Sequence, residues 1–89
     1  RYLEFTFQVE REGKVLATRH HLWDRYTGNH VLDVTEPKTG DQVRVYSNIN
    51  TRKGVTYKNS KQLKGVDNTD WVNQAYGLFV NDSYWLLMP

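Results

Sequence analysis

Three histidines are the side chains best suited to metal binding or proton transfer in this sequence. They are His20, His21 and His30. His20 and His21 are adjacent in a segment that alternates like a strand, so they point to opposite faces and cannot bind one ion together. His30 follows a turn and has only Asp24 and Asp33 close to it in sequence. We therefore expect all three histidines to be structural, and we predict no metal site.

The other residues that could do chemistry do not form a catalytic pattern. Asp24 and Asp33 could lie on neighbouring strands, but alternation places Asp24 toward the apolar face and Asp33 outward, which argues against a catalytic carboxylate pair. No serine has the flanking glycines of a nucleophile elbow, and the glycines are spread singly along the chain with no phosphate-binding loop. The absence of cysteine excludes thiolate nucleophiles and disulfides. We predict a non-enzymatic protein without a cofactor.

The stretch between Asp41 and Asp67 contains basic residues and no acids. Its basic residues are Arg44, Arg52, Lys53, Lys58, Lys61 and Lys64, interleaved with Tyr46 and Tyr57. Basic and aromatic residues on a sheet are typical of platforms for single-stranded nucleic acid, and an acidic partner is a related alternative. Lysines that protect edge strands give the same pattern, and the net charge is only +2. We therefore do not favour nucleic acid as the partner.

Composition favours one small domain, residues 1–89, with a core built from rings. Hydrophobic residues make up 38% of the chain and aromatic residues 13%, and the mean hydropathy is −0.75. No apolar run is long enough for a transmembrane helix. The chain has no initiator methionine, and both ends lie inside patterns typical of structure. We therefore predict a fragment of a longer chain.

Alternating apolar and polar residues predict an antiparallel meander. Residues 1–10 alternate cleanly, and Glu12-Gly13 predicts a two-residue hairpin loop. This loop would place His20 opposite Phe5 on the inner, apolar face. A turn at residues 27–29 would then place Leu22 opposite Val34 on the same face. Further strands are predicted at residues 42–49 and 55–58.

After Gly65 the apolar period becomes helical. Asp67, Asn68 and Thr69 are suitable N-cap residues, and Trp71, Ala75, Leu78 and Phe79 recur at helical spacing. We predict a helix over about 69–80, ended by residues 81–83, and a last strand at 84–87. The predicted fold class is mostly β (α+β): an antiparallel meander of about five to six strands, curved as a half-barrel, with this helix packed on one face.

The aromatic residues of the inner face predict an apolar binding surface. The candidate ligand-binding residues are Phe5, Phe7, Leu22, Leu32, Val34, Trp71 and Phe79. A curved sheet with a helical lid can hold an apolar ligand in this way. Core packing alone explains the same residues. A structural interaction module that pairs through a sheet edge is a further alternative.

Three segments resemble bacterial envelope proteins of the outer-membrane lipoprotein-carrier type. They are residues 20–28 (HHLWDRYTG), 48–58 (NINTRKGVTYK) and 76–89 (YGLFVNDSYWLLMP), of which the last is the most specific. The resemblance implies an incomplete antiparallel barrel plugged by helices, a cavity for a lipid or lipoprotein acyl chain, and a periplasmic or cell-envelope location. It implies no catalytic residue. The family's preceding helix and second half-barrel are not in these 89 residues, so we expect membrane association only through other segments, and a homodimer through an exposed edge or face is an alternative.

Overall fold

The computed structural model describes the backbone of residues 2–87 and the side chains of residues 2–85. The elements are β1 (Tyr2–Arg11), β2 (Lys14–Asp24), β3 (Asn29–Glu36), β4 (Asp41–Asn48), β5 (Gly54–Lys58), β6 (Lys61–Leu63) and α1 (Val66–Leu87). The six strands form one antiparallel sheet in chain order, which is not closed into a barrel. The helix packs on one face, chiefly against β4 and β5. The predicted mostly β meander with one C-terminal-side helix is confirmed.

The first hairpin contains a β-bulge that alternation alone does not reveal. Glu12 and Gly13 form its loop as predicted, and both have the positive φ that a type I′ turn requires, 54° and 78°. Glu10 then lies opposite Val15, whereas Val9 lies opposite Ala17. The intervening residue of β2 is left unpaired. Beyond this bulge, each β1 residue faces a β2 residue one position later than predicted.

The bulge reverses the predicted faces of β2. Phe5 lies opposite His21, not His20. His21 is fully buried, while His20 is half-exposed and its Nδ1 lies 2.8 Å from the Thr6 hydroxyl on the outer face. The prediction of an inward His20 is therefore wrong. The inward placement of Leu22 is wrong for the same reason, because residues two apart on a strand share a face.

The second hairpin also differs from the predicted register. β2 ends at Asp24 and the loop comprises residues 25–28, where the Gly28 N–H donates to the Asp24 carbonyl at 2.8 Å. The predicted loop was residues 27–29. Leu22 is consequently opposite Val31 and not Val34. The predicted partner Val34 and the observed partner Val31 are three residues apart, and residues an odd number apart on a strand lie on opposite faces of the sheet.

The helix runs through the segment predicted to end it. It extends from Val66 to Leu87, so it contains the predicted helix at 69–80, and the strand predicted at 84–87 is wrong. Asn81, Asp82 and Ser83 favour turns in isolation. Here the Ser83 hydroxyl donates to the Phe79 carbonyl within the helix at 2.6 Å, and the fully buried Asp82 binds side chains of the sheet. Tertiary contacts thus outweigh the weak local propensity.

The hydrophobic core lies between the helix and the central strands. It comprises Leu32, Val43, Val45, Val72 and Ala75, with Val34, Trp71 and Leu78 packed against them. The prediction that Ala75 and Phe79 bury against the sheet is confirmed, whereas Trp71 is partly buried. In the described part of the chain, no helix is both long and apolar enough to cross a membrane. Arg1, Met88 and Pro89 lie outside the described residues.

Candidate functional site: a buried polar cluster beside an apolar row

Two neighbouring features of the inner face, the one that carries the helix, stand out. The first is the polar cluster, made of Arg19, His21, His30 and Asp82. The second is the apolar row along β1, made of Leu3, Phe5, Phe7 and Val9. Strand alternation beyond the bulge supplies Arg19 and His21, and β3 supplies His30. The helix supplies Asp82, which continues the buried stripe of Val72, Ala75 and Phe79 at helical spacing.

Asp82 and Arg19 form a bidentate ion pair between the helix and the sheet. Arg19 Nε donates to Asp82 Oδ2 at 2.9 Å, and its Nη2 donates to Oδ1 at 2.8 Å. The Asp82 side chain is fully buried and that of Arg19 is 14% exposed. The guanidinium carbon also lies 4.9 Å from the centre of the Phe7 ring. A fork of this kind fixes the orientation of both groups.

The two histidines extend this ion pair into a hydrogen-bonded chain. His21 Nε2 lies 2.7 Å from Asp82 Oδ2, and His21 Nδ1 lies 2.9 Å from His30 Nε2. Because a carboxylate only accepts, Nε2 of a neutral His21 carries the proton and its Nδ1 accepts from His30. This leaves His30 Nδ1 unprotonated, and among the described residues it has no hydrogen-bond partner. The chain therefore has one defined tautomer at each ring.

Burial keeps both histidines neutral. It lowers the pKa of His21, an effect that the hydrogen bond to Asp82 partly offsets. Burial also lowers the pKa of His30, to about 4, with a smaller contribution from the neighbouring His21. Aromatic rings supply the apolar surroundings, since Phe5 stacks on His21 at 4.7 Å and Phe79 tilts against His30 at 4.9 Å.

The polar cluster is closed to solvent beneath the helix. His21, His30 and Asp82 are each at most 1% exposed. A general base must come within hydrogen-bonding distance of the proton it removes. What this geometry can do is fix the C-terminal half of α1 over β2 and β3, beyond the core contacts with β4 and β5. Across the described residues, no group of three or more metal-ligating side chains has the arrangement to hold an ion.

The apolar row lies at the margin of the helix-covered face. Leu3, Phe5, Phe7 and Val9 are each half-buried, while every intervening β1 residue from Glu4 to Gln8 is exposed. The row borders the polar cluster through Phe5 and Phe7. It is therefore a part of the inner face that remains accessible beside the helix.

The seven predicted ligand-binding residues separate into three groups. Phe5 and Phe7 belong to the accessible apolar row. Leu32 and Phe79 are packed between the sheet and the helix, at 0% and 7% exposure, with Val34 and Trp71 partly buried beside them. Leu22 lies on the outer face, opposite Glu4, and does not join the others.

The predicted carboxylate and basic candidates are dispersed. Asp24 lies opposite Tyr2 and accepts from the Tyr26 N–H at 2.9 Å, so its predicted inward placement is wrong. Asp33 pairs with Arg44 on the outer face, with Nε 2.6 Å from Oδ1. This pairing raises the pKa of the Arg44 guanidinium.

The basic stretch does not form one described surface. Arg44 is on the outer face, whereas Arg52 in the β4–β5 turn lies over the Tyr76 ring of the helix, 3.2 Å from its centre. Lys58 is opposite Val43, whose side chain is buried on the inner face. Arg44 therefore lies on the face opposite to that of Arg52 and Lys58.

Sequence reasoning missed the polar cluster. Alternation without the bulge places Arg19 outward, and the local composition around Asp82 predicts a turn. The usable signal is the helix stripe, since Asp82 follows Phe79 by three residues and Ala75 by seven.

Comparisons of the chain with family models, curated proteins and solved structures find no match.

Proposed function

We propose that this domain is a non-enzymatic component of the cell envelope that binds an apolar, acyl-type ligand along the apolar row. The observation that carries the proposal is the half-buried state of Leu3, Phe5, Phe7 and Val9 on the face against which the helix packs. The envelope setting follows from the resemblance of the sequence to lipoprotein carriers.

The chemistry of the row suits a chain of methylene groups. Four alternate side chains of one strand extend over roughly 20 Å, given about 3.4 Å for each residue. Covering such a surface contributes about 25 cal/mol for each Å² of apolar area removed from water. No charged contact is needed, and the Arg19 guanidinium at the border of the row is already engaged by Asp82.

A fluorescent fatty acid tests the proposal directly. We expect saturable binding that changes little between about 50 and 200 mM salt, because apolar burial is not screened, whereas nucleic-acid affinity falls steeply over that range. Trp23 lies opposite Leu3 on the inner face, so its emission provides a second signal. Trp23→Phe should remove that signal and preserve binding.

A matched pair of double variants locates the site. Leu3→Ser with Val9→Ser removes two apolar groups that make no ring contact with the polar cluster, and should weaken binding about tenfold. Thr6→Ser with Gln8→Ser changes the opposite face of the same strand and should have no effect. Equal affinity of the two variants, or salt-sensitive binding of an oligonucleotide without fatty-acid binding, would refute the proposal.

A further inference from the structure

The two edges of the sheet are built differently. Over residues 2–87, β1 lies at one edge of the strand order and β6 at the other. β6 has only three residues and begins with Lys61, features that discourage pairing with another chain. β1 has ten residues and contains neither lysine nor proline. The β1 edge therefore lacks the short length, lysine and proline that protect edge strands, although it carries Glu4, Glu10 and Arg11.

β1 is also regular enough to serve as a template. The unpaired bulge residue of the first hairpin belongs to β2, so β1 keeps strict alternation from Leu3 to Val9. A regular edge strand presents a row of backbone N–H and C=O groups to a further strand. Its half-buried apolar side chains would gain burial from the same pairing.

The β1 sequence is complementary to itself. In an antiparallel pair, residues opposite each other share a face, so one copy of β1 can slide along the other only in steps of two residues. Each such step moves the centre of the pair by one residue. Centring the pair on Thr6 places Phe5 opposite Phe7, Leu3 opposite Val9 and Glu4 opposite Gln8. This alignment joins apolar with apolar residues on one face and avoids like charges on the other.

The neighbouring alignments are poorer. Centring on Phe7 places Glu4 opposite Glu10, which is a repulsive like-charge pair. Centring on Phe5 pairs only residues 2–8 of the described strand, whereas centring on Thr6 pairs residues 2–10. The alignment centred on Thr6 combines the longest pairing with compatible charges.

We infer that β1 pairs with β1 of a second copy of this chain, antiparallel and centred on Thr6, to form a continuous twelve-stranded sheet from two six-stranded ones. Edge pairing of a single strand buries less area than a standard stable interface, so the dimer is weak and depends on concentration. The inference does not depend on ligand binding.

Charge variants at one exposed position test the alignment. Gln8→Lys would face Glu4 of the second copy with opposite charge, and Gln8→Glu would face it with like charge. By sedimentation velocity over a concentration series, we expect the dimer of the Lys variant to be about tenfold tighter than that of the Glu variant. Adding Glu4→Lys to Gln8→Glu recreates an opposite-charge pair and should give association as tight as that of Gln8→Lys.

An isotope-filtered NOE experiment on mixed labelled and unlabelled chains supplies the second measurement. Within one chain, Leu3 and Val9 are six residues apart on an extended strand, roughly 20 Å, so their methyl groups cannot give an NOE. Across the proposed pair they are opposite, and an intermolecular NOE is expected. A wild-type chain that stays monomeric near millimolar concentration, or a dimer indifferent to the charge at position 8, overturns the inference.

Discussion

The imidazole Nε2 of His21 lies 2.7 Å from Oδ2 of Asp82, although 61 residues separate the two in the sequence. This hydrogen bond joins the second strand to the C-terminal half of the helix. With Arg19 on the same carboxylate and His30 behind His21, it forms a buried polar connection between the helix and the sheet. The helix is thus held at two places, by the apolar core over β4 and by the polar cluster over β2 and β3.

Removing the carboxylate should destabilise the fold. In Asp82→Asn the amide cannot neutralise Arg19, and a largely buried charge loses its partner, so we expect a loss of about 3 kcal/mol in the free energy of unfolding. Urea denaturation measures the loss. Asp70→Asn, an exposed change on the same helix, is the matched control and should cost less than about 0.5 kcal/mol. Equal stability of the two variants would contradict the role assigned to the polar cluster.

Acid should weaken the fold through the buried His30. The folded state holds the pKa of His30 near 4, below the value of about 6.5 expected in the unfolded chain. The unfolded state therefore binds more protons below pH 6.5, so stability falls as the pH decreases from about 6.5 to about 4. The full difference corresponds to about 3 kcal/mol. The whole contribution of the neutral His30 to the free energy of unfolding is present above about pH 6.5.

A histidine pair isolates this effect. His30→Gln removes one buried imidazole and should reduce the dependence of the unfolding free energy on pH between 4 and 6.5, because only His21, whose pKa burial also lowers, then remains of the buried pair. His20→Gln, which changes the half-exposed neighbour of His21 on the outer face, should keep the wild-type slope. Urea denaturation at a series of pH values gives both slopes. An unchanged slope in His30→Gln would show that its protonation is not linked to folding.

The sequence predicts elements better than it predicts registers. Clean alternation over residues 1–10 and the Glu12-Gly13 loop identify the first hairpin, because both signals are local. The bulge after Val15 leaves no comparable signal, since neither alternating set of β2 residues is wholly apolar: one contains Leu16 and Leu22, the other Ala17 and Trp23. One unrecognised residue is enough to exchange the faces of the strand.

The polar cluster could not be predicted for a related reason. Asp82 is a poor helix residue, and it stays helical because Arg19 and His21 bind it from a distant strand. Those partners reach the inner face only after the bulge. Local propensity therefore points to a turn, and the contacts that reverse this preference depend on a register that the sequence does not reveal.

The helix should be sensitive to the loss of one tryptophan and tolerant of another. Trp71 is partly buried against the core, so Trp71→Ala should cost about 3 kcal/mol. Trp85 is 57% exposed near the other end of the same helix, and Trp85→Ala should cost less than about 1 kcal/mol. Thermal and urea denaturation of the two variants measure the difference. A cost below 1 kcal/mol for Trp71→Ala would mean that its end of the helix contributes little to stability.

Two glycines should respond to the same substitution in opposite directions. Gly54 begins β5 directly opposite Ser47, and a Cβ there would overlap the Tyr46 carbonyl oxygen and the Ser47 Cα. The atoms in the way are mainly backbone atoms of β4, so the two strands must separate to make room for a Cβ. Gly54→Ala should therefore destabilise the fold by about 3 kcal/mol.

Gly77 lies on the exposed side of the helix, and a methyl group added there would meet no atom within 4 Å. Gly77→Ala should stabilise by about 0.5–1 kcal/mol, because alanine loses less conformational entropy in a helix. Urea denaturation that showed both variants shifted in the same direction would contradict the close approach of β4 and β5 at Gly54.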